Sequence, residues 1–176
     1  MEVQVKIFVV TISDRASRGE YEDISGPAIE SWLRRAITSP YELTRVVIAD
    51  GEVSVRNTLI DLSDNQGAEL VLTTGGTGPS PRDQTPGAMQ QVLEKELPGF
   101  GELLRREGLK QTPTAILSRQ TAGTRGKTFF LNLPGKPAAI DMSLDVVFPT
   151  IPYCLDLIGA GRLKTDPLVV KSFRPS

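Results

Sequence analysis

The sequence has 176 residues, with 20 Lys and Arg against 21 Asp and Glu, no histidine and one cysteine. That length suits a single domain, 1–176, with a core of its own. The nearly cancelling charges, without a basic run, give no electrostatic footprint for nucleic acid, and the missing imidazole removes Ser-His triads, histidine general bases and most zinc sites.

Val5 to Ile12 is β-branched and nearly continuous in apolar character, the pattern of a strand covered on both faces, and it ends in Ser13-Asp14-Arg15. A polar loop from Ala16 to Asp23 follows. Ser25 is the expected N-cap of a helix carrying Ile29, Trp32, Leu33 and Ile37 on one face, with Trp32 in the core. A second strand, Tyr41 to Ala49, ends at Asp50-Gly51, and the next helix aligns Val55, Leu59 and Leu62.

The third strand, Glu69 to Thr74, runs into Gly75-Gly76-Thr77-Gly78, with Asp83 and then Thr85-Pro86 beyond. Glycines without Cβ atoms let the backbone take φ > 0 and bring consecutive N–H groups to an anion, so the stretch reads as strand, anion-binding loop, helix. It is not a Walker loop, since Pro79, Ser80 and Pro81 stand where Gly-Lys-Ser/Thr is required. Thr85 is the expected cap and Pro86 the start of a helix to Glu96, which Leu97-Pro98-Gly99 breaks. An amphipathic segment with Phe100, Leu103 and Leu104 comes next. Thr114 to Ser118 fits helix or strand equally well. Arg119 to Ala122 and Thr128 to Leu133 flank a Gly/Lys/Arg-rich turn and suggest an edge hairpin or antiparallel strand. Two helices carry Ile140, Leu144 and Val147, then Ile151, Cys154, Leu155 and Ile158. Cys154 cannot form an internal disulfide, and its apolar neighbours suggest a buried thiol. From about residue 159 the tail reads as irregular, apart from a short Leu168-Val169-Val170 strand. No 18-residue apolar span or signal-peptide pattern stands out, so the expectation is a soluble, cytoplasmic protein with no membrane or nucleic-acid partner.

Alternating strands and helices with apolar strands argue a mainly parallel sheet between helices, and ligands bind beyond the carboxyl ends of such strands. Ser13-Asp14, Asp50, Thr74 to Asp83 and Asn132 then converge on one edge. A glycine loop with two carboxylates, Asp50 and Asp83, is what magnesium-dependent phosphoryl or nucleotidyl transfer needs, because magnesium takes oxygen ligands from one or two carboxylates plus substrate phosphates. Each aspartate also fits a plainer role, as turn residue or cap. Arg82 and Lys136 are candidate phosphate clamps or simply solvated cations.

Thr73-Thr74-Gly75-Gly76-Thr77-Gly78-Pro79, Arg82-Asp83-Gln84-Thr85-Pro86, Asn132-Leu133-Pro134-Gly135 and Ser13-Asp14-Arg15 together resemble the molybdopterin-binding family of the MogA/MoaB type. Within it, Pro98-Gly99-Phe100-Gly101, Pro113 to Gln120 and Phe173-Arg174-Pro175 are most similar to the bacterial molybdopterin adenylyltransferases. The resemblance implies a three-layer α/β/α domain, commonly a homotrimer. It also implies adenylylation of molybdopterin by ATP with Mg²⁺ or another divalent cation, releasing pyrophosphate before a separate protein inserts the molybdenum. By motif match Asp50 and Asp83 take the essential acidic, metal-facing positions, while Ser13, Asp23, Gly75, Gly76, Thr77, Gly78, Ser118, Asn132, Pro134 and Gly135 match ligand contacts. Gly87 departs from the pattern, which has an acidic or other side chain after Thr-Pro. The alternatives are a non-catalytic molybdopterin carrier or assembly scaffold, and a hydrolase of pyrophosphate-containing nucleotides.

Overall fold

The computed structural model describes residues 4–176; the first three residues of the expected domain lie outside it. Strand β1 (Val5–Ile12) is followed by a single helical turn, α1 (Asp14–Ser17), and by α2 (Ser25–Ala36), β2 (Tyr41–Ile48), α3 (Glu52–Asp64) and β3 (Leu70–Thr74). After the glycine loop come α4 (Thr85–Val92), β4 (Lys95–Glu96) and α5 (Pro98–Leu109), then the hairpin β5 (Ala122–Arg125) and β6 (Thr128–Leu133), and last α6 (Ile140–Val147) and α7 (Ile151–Leu157). The sheet order is β2-β1-β3-β6-β5-β4. β2, β1, β3 and β6 are parallel, and β5 and β4 are antiparallel additions at one edge. The domain is a three-layer α/β/α sandwich.

Alternate residues of the strands face opposite layers. Val5, Ile7, Val9, Leu70, Leu72, Phe129 and Leu131 meet α2, α6 and α7, while Phe8, Val10, Val71 and Phe130 meet α3 and α4. Continuous apolar runs were required because both faces are covered. The edge strand β2, by contrast, is largely half-exposed. Trp32 lies in the first core layer, its ring 4.8 Å from that of Phe148 and its Nε1–H donating to Asp145 Oδ1 at 2.8 Å. Cys154 lies in the same layer, and burial pushes its thiol pKa up.

The structure corrects the sequence reading in several places. The helix expected to Glu96 ends at Val92, because Glu94 N–H and Leu97 N–H donate to Thr124 O (2.9 Å) and Ala122 O (2.8 Å), turning the chain into an edge strand. Gly123 permits this, since a Cβ there would stand 2.3 Å from the Lys95 carbonyl oxygen. The first arm of the hairpin accordingly begins at Ala122, three residues later than expected, and Pro113–Leu117 is a 3-10 helix. Leu168 to Val170 forms no strand, yet the tail is tied down: Thr165 bridges to Ile37, and the Arg174 guanidinium pairs with Asp156 and donates to Leu163 O at 2.9 Å. Among the described residues no single helix is long and apolar enough to cross a membrane.

Candidate functional site

The parallel strands deliver their carboxyl ends level with one another, through the pairs Ile12 with Ile48, Thr11 with Thr74, and Thr74 with Leu133. The glycine loop leaves β3 at this edge. Gly75 has φ +103° and Gly76 φ +64°, backbone that residues with a Cβ rarely adopt. Space requires glycine as well: a Cβ on Gly75 would lie 2.4 Å from Ile12 O, and one on Gly76 2.4 Å from Thr85 Oγ1. Thr85 does not cap α4 as expected. Its hydroxyl donates to Gly75 O at 3.0 Å and its N–H to Gly76 O at 3.2 Å, so it bolts the loop to the helix, and Gln84 occupies the cap position. At Gly78 φ is not left-handed; the missing side chain makes room for Asp83, whose Oδ2 would be 2.8 Å from a Cβ.

Asp83 accepts from Ser80 N–H through Oδ2 at 3.0 Å, and Asp50 accepts from Asp14 N–H through Oδ2 at 2.9 Å. The second oxygen of each has no hydrogen-bond partner among the described residues. Asp50 Oδ1 lies 3.7 Å from the place of a Gly76 Cβ, so both carboxylates stand close to the loop. Asp23 is different. Its Oδ2 accepts from Thr11 Oγ1 at 2.9 Å and its Oδ1 from Gly26 N–H at 3.0 Å, so its two oxygens tie the start of α2 to the end of β1. Ser25, expected as that helix's cap, instead donates its hydroxyl to Gly135 O at 2.9 Å and joins α2 to the loop after β6.

Two cavities open on this edge, of about 280 and 260 Å³. The first takes Ser13, Asp23, Asp50, Gly75, Gly76, Asp83 and Gly135 of the expected site residues, with Arg82; the second takes Thr77, Gly78, Ser118 and Pro134, with Lys136. Neighbouring residues of the same two loops, Gly76 and Thr77, and Pro134, Gly135 and Lys136, thus face opposite cavities. The second is the more apolar, with Leu104, Leu117 and Met142 in its wall. Asn132 lines neither. It is fully buried on β6, donates Nδ2–H to Thr73 Oγ1 at 2.9 Å, and its Oδ1 is the one buried side-chain oxygen without a partner among the described residues.

Several contributors were not singled out from the sequence. Arg119 donates its N–H to Thr77 O and its Nε–H to Gly78 O, both at 2.9 Å, and Nη2 to the Asp83 carbonyl, clasping the loop to the Asp83 turn. Gln120 is buried, its Oε1 accepting from Ser118 Oγ at 2.8 Å and its Nε2 donating to Asn132 O at 3.2 Å. Arg15 stacks 5.2 Å from the centre of the Tyr21 ring on the rim of the first cavity. The clasp by Arg119 depends on partners 36 and 41 residues away, which residue type alone does not announce.

Residues 8–153 match the family model described as a probable molybdopterin binding domain. The chain belongs to this molybdopterin-binding family. Curated members include the molybdopterin adenylyltransferase of Helicobacter pylori, 48% identical over 171 residues with 97% of each chain covered, and that of Escherichia coli K12, 44% identical, covering 97% of this chain and 94% of that one. Among solved members, the molybdopterin biosynthesis enzyme MoaB from Thermus thermophilus superposes with a TM-score of 0.81 at 39% identity, over 90% of this chain and 99% of that one.

Proposed function

We propose that this molybdopterin-binding family member is a molybdopterin adenylyltransferase, joining the adenylyl group of ATP to the terminal phosphate of molybdopterin with release of pyrophosphate. The observation that carries the reading is the glycine loop shared as a wall by two cavities, with Asp50 and Asp83 both beside it in the first, each keeping one carboxylate oxygen without a partner among the described residues. Phosphates lying over the loop would have an organic group in each cavity, which is what a reaction between two phosphorylated heterocycles requires. The near full-length likeness to curated adenylyltransferases points the same way.

The donor set suits magnesium. No group of three or more His, Cys, Asp or Glu among the described residues is arranged to hold a metal, and magnesium needs only one or two carboxylates when substrate phosphates and water supply the rest. Asp50 and Asp83 are its proposed ligands. The bound cation would neutralise charge on the phosphates. The chain's own contribution is to hold two anions in line, so that a pterin phosphate oxygen bonds to the α-phosphorus as its bond to pyrophosphate breaks. The attacking monoester is already largely ionised at neutral pH, so no general base is demanded. In the same reading the protein acts in the cytoplasm as a homotrimer and passes its product to a molybdenum-insertion protein.

The test is pyrophosphate release. Release that needs ATP, molybdopterin and magnesium together supports the transferase. Binding of molybdopterin without release would make the chain a carrier, and release without the pterin a nucleotide hydrolase.

A further inference from the structure

β1 and β2 stay paired to Ile12 and Ile48, and Ser13 N–H still donates to Ile48 O at 2.9 Å. Beyond that point side chains continue the ladder. Asp14 N–H donates to Asp50 Oδ2 at 2.9 Å while Asp50 N–H donates to Asp14 Oδ1 at 3.0 Å, so each aspartate grips the other's backbone. Both are half-buried and both line the first cavity. Asp14 is itself fixed: it opens α1, whose first turn is capped by Ser13 Oγ accepting from Ala16 N–H at 3.2 Å. On its other side Gly51 sits at φ +125° and leads into α3, whose first N–H, that of Glu52, donates to Gln84 Oε1 at 2.8 Å.

We infer that Asp14 is a positioning residue for the transfer step, its carboxylate oxygen holding the Asp50 backbone so that the free oxygen of Asp50 keeps one orientation beside the glycine loop. This rests on the proposed role of Asp50. Asp14 acts as a hydrogen-bond acceptor, not through its charge. An amide oxygen at position 14 can accept the same N–H, whereas an amide at position 50 keeps the grip but removes the charge facing phosphate and metal. The same Asp→Asn change is therefore tolerated at one member of the pair and not at the other.

The experiment compares Asp14→Ala, Asp14→Asn and Asp50→Asn in the full chain, measuring kcat and KM for adenylyl transfer at saturating magnesium, with the melting temperature of each preparation. Because loss of alignment acts on the reacting geometry, Asp14→Ala is expected to lose about 10- to 100-fold in kcat with KM changed less than about threefold. Asp14→Asn should recover to within about fivefold of wild type, with Asp50→Asn slower than either Asp14 variant. Should Asp14→Ala not accumulate as folded protein, Asp14→Glu replaces it, since the added methylene moves the acceptor, and the same loss is expected. A fully active Asp14→Ala beside an inactive Asp50→Asn overturns the positioning role alone, and so does an Asp14→Asn as slow as Asp14→Ala. A fully active Asp50→Asn overturns the role of Asp50, and the inference with it.

Discussion

At the amino ends of the parallel strands Glu69 gives both carboxylate oxygens to backbone amides, those of Lys6 (3.0 Å) and Gly161 (2.6 Å). At the carboxyl ends Asp50 and Asp83 give one oxygen each, to Asp14 and Ser80. Glu69 closes the start of β3 against β1 and the tail, and its hydrogen-bonding capacity goes to holding the chain. The aspartates are anchored by one oxygen, and the other has no hydrogen-bond partner among the described residues. An anchored carboxylate with spare capacity is a better sign of function than an exposed one, since anchoring costs side-chain freedom that a merely solvated group keeps.

The comparison breaks most sharply at the aspartates. Asp50→Asn and Asp83→Asn keep an oxygen for the anchoring amide, so the fold should stand while the charge beside the loop is lost. Turnover is expected to fall by about 100-fold or more, roughly 3 kcal/mol of transition-state stabilisation. Single-turnover adenylylation and a melting curve on one preparation decide it; near-normal turnover in both variants would place the carboxylates outside the chemistry.

Glu69→Gln should do the reverse. An amide NH₂ would replace one acceptor and face a backbone donor, which costs about 1–2 kcal/mol of stability at this half-buried position. Turnover of the folded fraction should not change. Urea titration reads the first quantity and kcat the second, and a loss of kcat without loss of stability would erase the distinction between the two ends.

pH separates them again. Asp61 is held below its usual range by hydrogen bonds from Asn65 and Gln66, and Asp64 by the Arg125 guanidinium. A carboxylate whose folded pKa is depressed contributes stability above its unfolded value, near about 4, and loses it as pH falls through the folded value. With no histidine in the sequence, stability should stay level between about pH 5 and 7 and fall only in acid. Over the same range kcat/KM for molybdopterin should rise below about pH 6 and flatten above it, following the second ionisation of the substrate phosphate. Parallel pH–stability and pH–rate profiles check this, and coincident inflections would assign both to one protein group.

Periodicity and motif order carried the architecture, because the parallel strands are covered on both faces and their apolar runs are unambiguous. The convergence of Ser13, Asp50, the glycine loop and Asn132 on one edge followed from that topology. What escaped was decided by partners distant in sequence. The strand Lys95–Glu96 exists because β5 offers an unpaired edge and Gly123 lets it approach. Thr85 and Ser25 looked like helix caps because hydroxyls favour those places, yet each spends its hydroxyl on a loop carbonyl. Asn132 belongs to the motif, but only its full burial distinguishes it from the residues in the cavity walls.

Gly87 gives the smallest effect. The resemblance gives the expectation of an acidic or other side chain here, and the structure supplies a carboxylate from elsewhere: Glu52 Oε2 would lie 3.3 Å from a Cβ on Gly87, with Glu52 Oε1 accepting from Gln91 Nε2. A negative charge thus already stands beside the first turn of α4, where the helix dipole favours it. Gly87 does not have positive φ, and the nearest obstacle is the end of a flexible side chain, so alanine should fit and gain about 0.5–1 kcal/mol by restricting the unfolded chain and improving helix propensity. Gly87→Glu shares that gain but brings a second carboxylate against Glu52, so it should be less stable than Gly87→Ala at low salt, and the gap should narrow as salt screens the pair. Denaturant titrations of both variants at two ionic strengths measure the difference; a glutamate variant as stable as the alanine one at low salt would mean that Glu52 does not supply the missing charge.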